Sequence, residues 1–108
     1  MITVETASSA GKDRARIAAE HLLDKISRKD VSLADARKLL VCITAGETTF
    51  TVDELYEVMH ALQPSCAPNA SVSIGHVFDA TMDGNLRITL LAAGGSMISD
   101  ARKNGTTD

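Results

Sequence analysis

Three histidines and two cysteines are the residues best suited to metal or nucleophilic chemistry, and their positions favour no such site. His21, His60 and His76 are far apart, and the chain contains no His-x-x-x-His or Cys-x-x-Cys spacing. Zinc and related sites often draw their ligands from such closely spaced pairs. Cys42 lies in an apolar run that disfavours the reactive thiolate, and Cys66 lies in a loop between prolines. We therefore expect no metal site, no disulfide framework and no nucleophilic cysteine.

An acidic cluster is the next candidate for chemistry. Four acidic residues lie close together in the chain: Glu47, Asp53, Glu54 and Glu57. Paired carboxylates can perform acid–base catalysis, but Glu54 follows Thr51 at the spacing of a T-x-x-E capping box. Acidic residues also favour the first turn of any helix because of the helix dipole. The glycines at 94–95 lack the following lysine of a phosphate-binding loop. We expect no catalytic residue and no bound cofactor.

The composition indicates one ordinary domain. The chain has 108 residues, of which 44% are hydrophobic and 23% are charged, and its formal net charge is −3; these values suit a single globular unit. Mild acidity without a basic cluster argues against nucleic-acid binding. The apolar runs are far shorter than the roughly 20 residues that span a bilayer, and the first residues lack the features of a signal peptide. The composition favours the cytoplasm.

Hydrophobic periodicity predicts three elements in the first half of the chain. Residues 1–6 alternate as a half-buried strand does, and residues 7–11 form a small-residue turn. Residues 12–27 carry a helical stripe of apolar side chains: Ala15, Ala18, Ala19, Leu22 and Ile26. Arg14 is expected outside this stripe. Residues 39–45 are apolar almost throughout, which predicts an interior strand covered on both faces.

The second half of the chain predicts one helix and two strands. The capping box at Thr51 starts a helix that Pro64 stops. Residues 72–78 and 86–93 alternate as strands do, and the turn chemistry of residues 82–85 predicts an antiparallel hairpin between them. The order β-α-β-α-β-β predicts a two-layer α/β (α+β) fold, a four-stranded mixed sheet with both helices on one face. This domain covers residues 1–94, and residues 95–108 are expected to be a flexible polar tail.

Five short motifs resemble one known family. They are the Gly-x-x-Arg-Ala of residues 11–15, Ile-Thr-Ala-Gly at 43–46, Asn-Ala-Ser-Val-Ser-Ile-Gly at 69–75, Asp-Ala-Thr-Met at 79–82 and Leu-Arg-Ile-Thr at 86–89. In this order they resemble the C-terminal domain of FtsZ, the bacterial tubulin homologue that builds the division ring. The resemblance implies that the GTP-binding domain and the catalytic loop would lie before Met1. We therefore expect this chain to lack GTPase activity.

The resemblance also implies a partner. In FtsZ filaments the C-terminal domain docks onto the GTP-bearing face of the next subunit, partly through the helix that residues 51–62 resemble. The predicted interface residues are Phe50, Val52, Asp53 and Glu57, at the exposed start of that helix. The resulting hypothesis is a non-catalytic FtsZ-like protein that binds FtsZ or FtsZ-like subunits and regulates cell division.

Two alternatives remain open at this stage. The chain could be an excised C-terminal piece of a full-length FtsZ GTPase, or an unrelated oligomeric protein on the same scaffold. In the family a long helix covers the other sheet face, where Ser71, Ser73, Arg87 and Thr89 would reduce an apolar patch that includes Val77 and Leu91. We therefore also expect a weak homodimer through sheet faces or edges.

Overall fold

The computed structural model describes residues 2–29, 32–46, 49–82 and 84–94, and the predicted tail at 95–108 lies outside them. Four strands and two helices occur in the predicted order β-α-β-α-β-β. Their bounds are β1 Ile2–Ala10, α1 Arg14–Ser27, β2 Lys38–Ala45, α2 Val52–Leu62, β3 Ser71–Phe78 and β4 Asn85–Ala93. The predicted α+β fold is confirmed.

The strands lie in the order β1-β4-β2-β3. β4 is antiparallel to both β1 and β2, whereas β3 pairs in parallel with β2. The predicted hairpin between β3 and β4 is therefore wrong, because the chain leaves the edge strand β3 and passes β2 to reach the middle of the sheet. Gly84 does adopt the left-handed conformation of a turn, with φ of 79°. Burial instead accounts for the pairing of β4 with β1 and β2. One face of β4 is fully apolar, and a strand with such a face is best buried in the interior of the sheet, between two other strands.

Both helices cover the same face of the sheet, as predicted. The buried stripe of α1 joins Val58 and Leu62 of α2 in one core cluster with the inward residues of β2 and β4. The predicted stripe positions Leu55 and Met59 are half-buried against this cluster. The alanines of α1 let its backbone approach the sheet closely, because they add little side-chain bulk.

β2 is interior in the sheet, as predicted, but only one of its faces is covered. Leu39, Val41 and Ile43 are buried beneath the helices. Leu40, on the opposite face, is exposed. The expectation of burial on both faces is therefore wrong, because the described residues place no element over the second face. β1 is also longer than predicted, since residues 7–10 pair with residues 85–88 of β4 instead of turning.

We call the second sheet face, which no described element covers, the open face. It contains the polar and apolar residues that alternation along the strands predicts for it. The strand registers align Ser73 with Leu40, and Leu40 with Leu91. The same registers place Val77 and Arg87 beside Thr44. Apolar side chains thus alternate with polar ones across this face, which limits the size of any continuous apolar patch.

Candidate protein-interaction surface

The capping box of α2 forms as its sequence predicts. The Glu54 amide donates a hydrogen bond to the Thr51 hydroxyl at 3.2 Å, and the Thr51 amide donates to Glu54 Oε1 at 3.1 Å. These two bonds satisfy amide groups that a helix otherwise leaves unpaired at its start. The first turn of α2 is therefore held in a defined position.

A buried arginine also contacts this turn. Arg14 of α1 is only 6% exposed and forms an ion pair with Glu54, in which Nε donates to Oε2 and Nη2 donates to Oε1 at 2.9 Å. Nη2 also donates to the Thr49 carbonyl at 2.9 Å, and Nη1 donates to the Asn85 carbonyl at 3.3 Å. One guanidinium thus joins α1, the loop before α2, α2 itself and the start of β4.

The expectation that Arg14 lies outside the apolar stripe of α1 is wrong. Arg14 lies four residues before Ala18, so it borders the apolar stripe. Its burial is tolerated because the guanidinium donors meet a carboxylate and two carbonyls. A capping glutamate has a second carboxylate oxygen that can accept from a basic side chain, so the sequence motif indicates that Glu54 could have an arginine partner. The residues near Glu54 in the sequence do not identify which arginine it is.

The Arg14 hydrogen bonds lower the pKa of the Glu54 carboxyl, and hydrogen bonds from Thr51 lower it further against the opposing effect of burial. The same pairing raises the pKa of Arg14. Glu54 is therefore ionised at neutral pH and occupied by structural contacts. It is not placed as a general acid or base, because such a group needs access to a substrate proton.

Three of the four predicted interface residues lie together on the outer side of α2. Val52 is 63% exposed, and Asp53 and Glu57 are also exposed. Neither carboxylate forms a hydrogen bond or ion pair with any residue that the structure describes. Tyr56, which the sequence analysis did not select, is 67% exposed between them. We call Val52, Asp53, Tyr56 and Glu57 the α2 turn surface.

Phe50 lies apart from this surface. Its ring packs near His76 and Phe78 of β3, with centroid separations of 6.0 and 6.5 Å, and those two rings stack at 5.1 Å. Phe50 is half-buried against the core. The structure therefore assigns Phe50 a packing role beside β3, whereas the other three predicted residues face outward.

An open groove of about 500 Å³ adjoins the α2 turn surface between the two helices. Arg16 and Glu20 of α1 line one side, and Tyr56, Glu57 and His60 of α2 line the other. The groove therefore presents mixed charge beside an exposed aromatic ring.

Both cysteines are free thiols in the structure. Cys66 lines an apolar pocket of about 320 Å³ with Met59 and Val72, and its thiol donates to the Leu62 carbonyl at 3.3 Å. Burial raises the pKa of the Cys66 thiol, which favours the unreactive protonated form. Among the described residues, no group of three or more His, Cys, Asp or Glu side chains is arranged to hold a metal ion. No helix in that part of the chain is long and apolar enough to cross a membrane.

The fold is similar to part of solved FtsZ and TubZ structures. An FtsZ dimer from M. jannaschii matches with a TM-score of 0.77 and 24% identity, over 86% of this chain and 26% of that one. A helical model of the TubZ-Bt four-stranded filament matches with a TM-score of 0.69 and 13% identity, over 94% of this chain and 27% of the other.

The model of the FtsZ family, C-terminal domain, matches residues 1–96, so the chain belongs to the FtsZ family. It is 37% identical over 89 residues to the cell division protein FtsZ of Buchnera aphidicola subsp. Schizaphis graminum, covering 82% of this chain and 23% of that protein. It is 36% identical over 94 residues to cell division protein FtsZ of Coxiella burnetii, covering 87% and 24%. The chain thus spans about a quarter of the length of these relatives.

Proposed function

We propose that this chain is a non-catalytic binding domain that contacts FtsZ-type subunits during bacterial cell division in the cytoplasm. The observation that carries the proposal is the α2 turn surface, which is exposed yet fixed by the capping box and by Arg14. A preformed surface loses little conformational entropy on binding. Val52 and Tyr56 supply apolar anchors, and the unpaired Asp53 and Glu57 would steer a basic partner surface towards them.

The expected effect on FtsZ polymerisation follows from the surfaces that the domain has available for contact. A polypeptide of residues 1–108 offers the α2 turn surface to one subunit, while its match to the family covers only the C-terminal domain. Bound at a filament end, it would not present a nucleotide-binding domain to the next subunit. We therefore expect this polypeptide to slow polymerisation of FtsZ from the same organism while leaving GTP binding by unassembled subunits intact.

The experiment compares two double variants that change the net charge equally. Asp53→Lys with Glu57→Lys reverses the charge of the α2 turn surface and should abolish the effect on FtsZ assembly. The control is Asp24→Lys with Asp35→Lys. Asp35 is exposed in the short 3-10 turn Leu33–Asp35 before β2, and Asp24 is exposed on the last half of α1, where its ion pair with Arg28 at 3.0 Å contributes less than about 1 kcal/mol. Exposed substitutions usually change stability by within about 0.5 kcal/mol, and thermal unfolding checks both variants. An unchanged assembly rate with excess wild-type domain would contradict the proposal, as would equal effects of the two double variants.

The absence of catalysis is part of the proposal and has its own test. GTP titrated into the purified polypeptide should neither release heat nor raise the midpoint of thermal unfolding. A ligand at 100 times its Kd stabilises a protein by about 2.7 kcal/mol, so specific binding would be readily visible. Such stabilisation, or release of phosphate, would contradict the assignment of a non-catalytic role.

A second candidate is that the chain functions within a longer FtsZ GTPase. Its span of about a quarter of the relatives favours this candidate. The α2 turn surface would then contribute to contacts between subunits of one filament. The sequence of the parent gene distinguishes the two candidates. In either case we also propose that the isolated polypeptide forms a weak homodimer.

A further inference from the structure

The free edge of β3 presents one defined set of backbone groups. The Ser71 amide donates to the Arg37 carbonyl at 2.8 Å, and the Asp79 amide donates to the Ala45 carbonyl at 2.9 Å. Both amides point towards β2, and backbone direction alternates along a strand, so residues 73, 75 and 77 also face β2. The N–H and C=O groups of the intervening residues face the free edge: Val72, Ile74, His76 and Phe78.

The other edge of the sheet is blocked. Lys25 of α1 donates to the Thr6 carbonyl of β1 at 2.7 Å, and Lys29 donates to the Val4 carbonyl at 2.9 Å. Lys29 also forms an ion pair with Glu5 at 3.3 Å. Lysine side chains that occupy edge carbonyls are a common protection against pairing with another chain. Within the part of the chain that the structure describes, the contrast isolates β3 as the unprotected edge.

β3 itself contains none of the residues that usually prevent such pairing. The segment Ser71–Phe78 has no Lys, Arg, Asp, Glu or Pro. Its apolar side chains are exposed on both faces, including Ile74 on the helix side and Val77 on the open face. A long, uncharged, apolar edge strand is a template for another strand.

We infer that β3 pairs antiparallel with β3 of a second copy of this chain, about a two-fold axis through Gly75. A two-fold axis perpendicular to the sheet relates two antiparallel strands and leaves each sheet face on its own side. Directly opposite residues then have their side chains on the same face, so the axis must lie between two copies of one residue and not between two residues that are adjacent in the chain. An axis at Gly75 places Val72 opposite Phe78 of the second copy, and Ile74 opposite His76. All four outward-facing residues then form hydrogen-bonded pairs, giving about eight backbone hydrogen bonds.

Gly75 fits this position for a reason that the single chain does not provide. Its φ lies outside the left-handed region, and a Cβ added there would meet nothing within 4 Å. The isolated domain therefore has no steric need for glycine at 75, and glycine weakens a strand interior. At the proposed axis the two copies of Gly75 form a non-hydrogen-bonded pair, whose Cα atoms approach to about 4.5 Å. Ordinary side chains fit in such pairs, but at a two-fold axis each side chain must pack against its own copy, a requirement that glycine removes.

The inference rests on the self-association proposed above and is independent of the α2 turn surface. Pairing through β3 joins two four-stranded sheets into one continuous sheet. The Phe50, His76 and Phe78 rings lie on the helix side of β3. The second copy brings Val72 and Ile74 beside them, which would remove apolar surface from water.

Cysteine cross-linking tests the register directly. In a Cys42→Ser, Cys66→Ser background, Gly75→Cys should form a disulfide-linked dimer on mild oxidation, because its Cα separation lies within disulfide range. Ser73→Cys and Val77→Cys should each remain monomeric alone but cross-link when mixed, since the register pairs residue 73 with residue 77. Cross-linking of Ser73→Cys or Val77→Cys with itself, or none by Gly75→Cys, would overturn the proposed register.

Sedimentation tests pairing through β3 without any cross-link. The wild-type chain should show a concentration-dependent dimer, and Gly75→Lys should weaken dimerisation at least about tenfold, equivalent to 1.4 kcal/mol. Val4→Lys is the control, because it introduces the same charge on the open face of the blocked edge strand, where Val4 is 52% exposed. A wild-type monomer, equal losses in both variants, or a dimer that survives Gly75→Lys would contradict the inference. Unchanged inhibition of FtsZ assembly by Gly75→Lys would separate this surface from the α2 turn surface.

Discussion

Arg14 of α1 and Glu54 of α2 form an ion pair that is almost completely shielded from solvent, with side-chain exposures of 6% and 15%. Glu54 simultaneously completes the capping box with Thr51. One carboxylate therefore fixes both the start of α2 and the position of α2 against α1. The orientation of the α2 turn surface depends on this pair.

Removal of the arginine should therefore destabilise the domain. We expect Arg14→Met to lower the free energy of unfolding by about 1–3 kcal/mol, because it leaves the partly buried Glu54 carboxylate and the Thr49 carbonyl without their donor. Arg16→Met is the control on the same helix, since its exposed pair with Glu20 at 3.1 Å should contribute less than about 1 kcal/mol. Urea unfolding measures both values, and a similar cost in the two variants would contradict the structural role of Arg14.

The lowered pKa of Glu54 predicts a specific dependence of stability on pH. Its folded-state pKa lies below that of the unfolded chain, so its contribution is complete above the usual glutamate pKa of about 4.3. The contribution is lost as the pH falls through the lower folded-state value. We expect the difference in unfolding free energy between wild type and Glu54→Gln to be constant near neutral pH and to shrink below about pH 4. A constant difference down to pH 2 would contradict the pairing.

The two sheet faces should respond differently to loss of a side chain. Leu90 is 1% exposed beneath the helices, whereas its neighbour Leu91 is 37% exposed on the open face. Leu90→Ala should cost about 2–5 kcal/mol of unfolding free energy, since it leaves a cavity in the core. Leu91→Ala should cost less, about 1 kcal/mol, because 37% of Leu91 is already exposed to solvent and its truncation leaves no enclosed cavity. Equal costs by chemical denaturation would mean that the open face is covered in solution.

Local sequence patterns predict the helices and strands of this domain well. The T-x-x-E motif at Thr51 identifies the start of α2, because both capping partners lie within one turn. The apolar run at 39–45 identifies β2 and its interior position between β4 and β3, although only the alternate residues Leu39, Val41 and Ile43 are buried. The exposed positions Val52, Asp53 and Glu57 also follow from helical periodicity.

Contacts between distant elements are what the patterns miss. The turn at Gly84 suggests a hairpin, yet β4 pairs with β1 and β2 because only those neighbours leave its apolar face beneath the helices. Burial of Arg14 depends on Glu54, forty residues away in the chain. The position of Phe50 likewise depends on β3, which the capping motif cannot reveal.

The last prediction concerns the division of the four interface candidates into two groups. Phe50→Ala should lower the free energy of unfolding by about 1–2 kcal/mol, because it removes a half-buried ring and its aromatic contacts with His76 and Phe78. Val52→Ala should change stability by within about 0.5 kcal/mol, since Val52 contacts mainly solvent.

For binding to FtsZ the order should be reversed, so that Val52→Ala has the larger effect and Phe50→Ala the smaller. Val52→Ala removes an apolar anchor from the α2 turn surface and should weaken inhibition of FtsZ assembly. Phe50→Ala should leave that inhibition intact under conditions in which the domain remains folded. Because the Phe50 ring lies over β3, a loss of inhibition by folded Phe50→Ala would instead extend the binding surface from α2 across the aromatic cluster. Far-UV circular dichroism and thermal unfolding confirm that each variant is folded before assembly is measured.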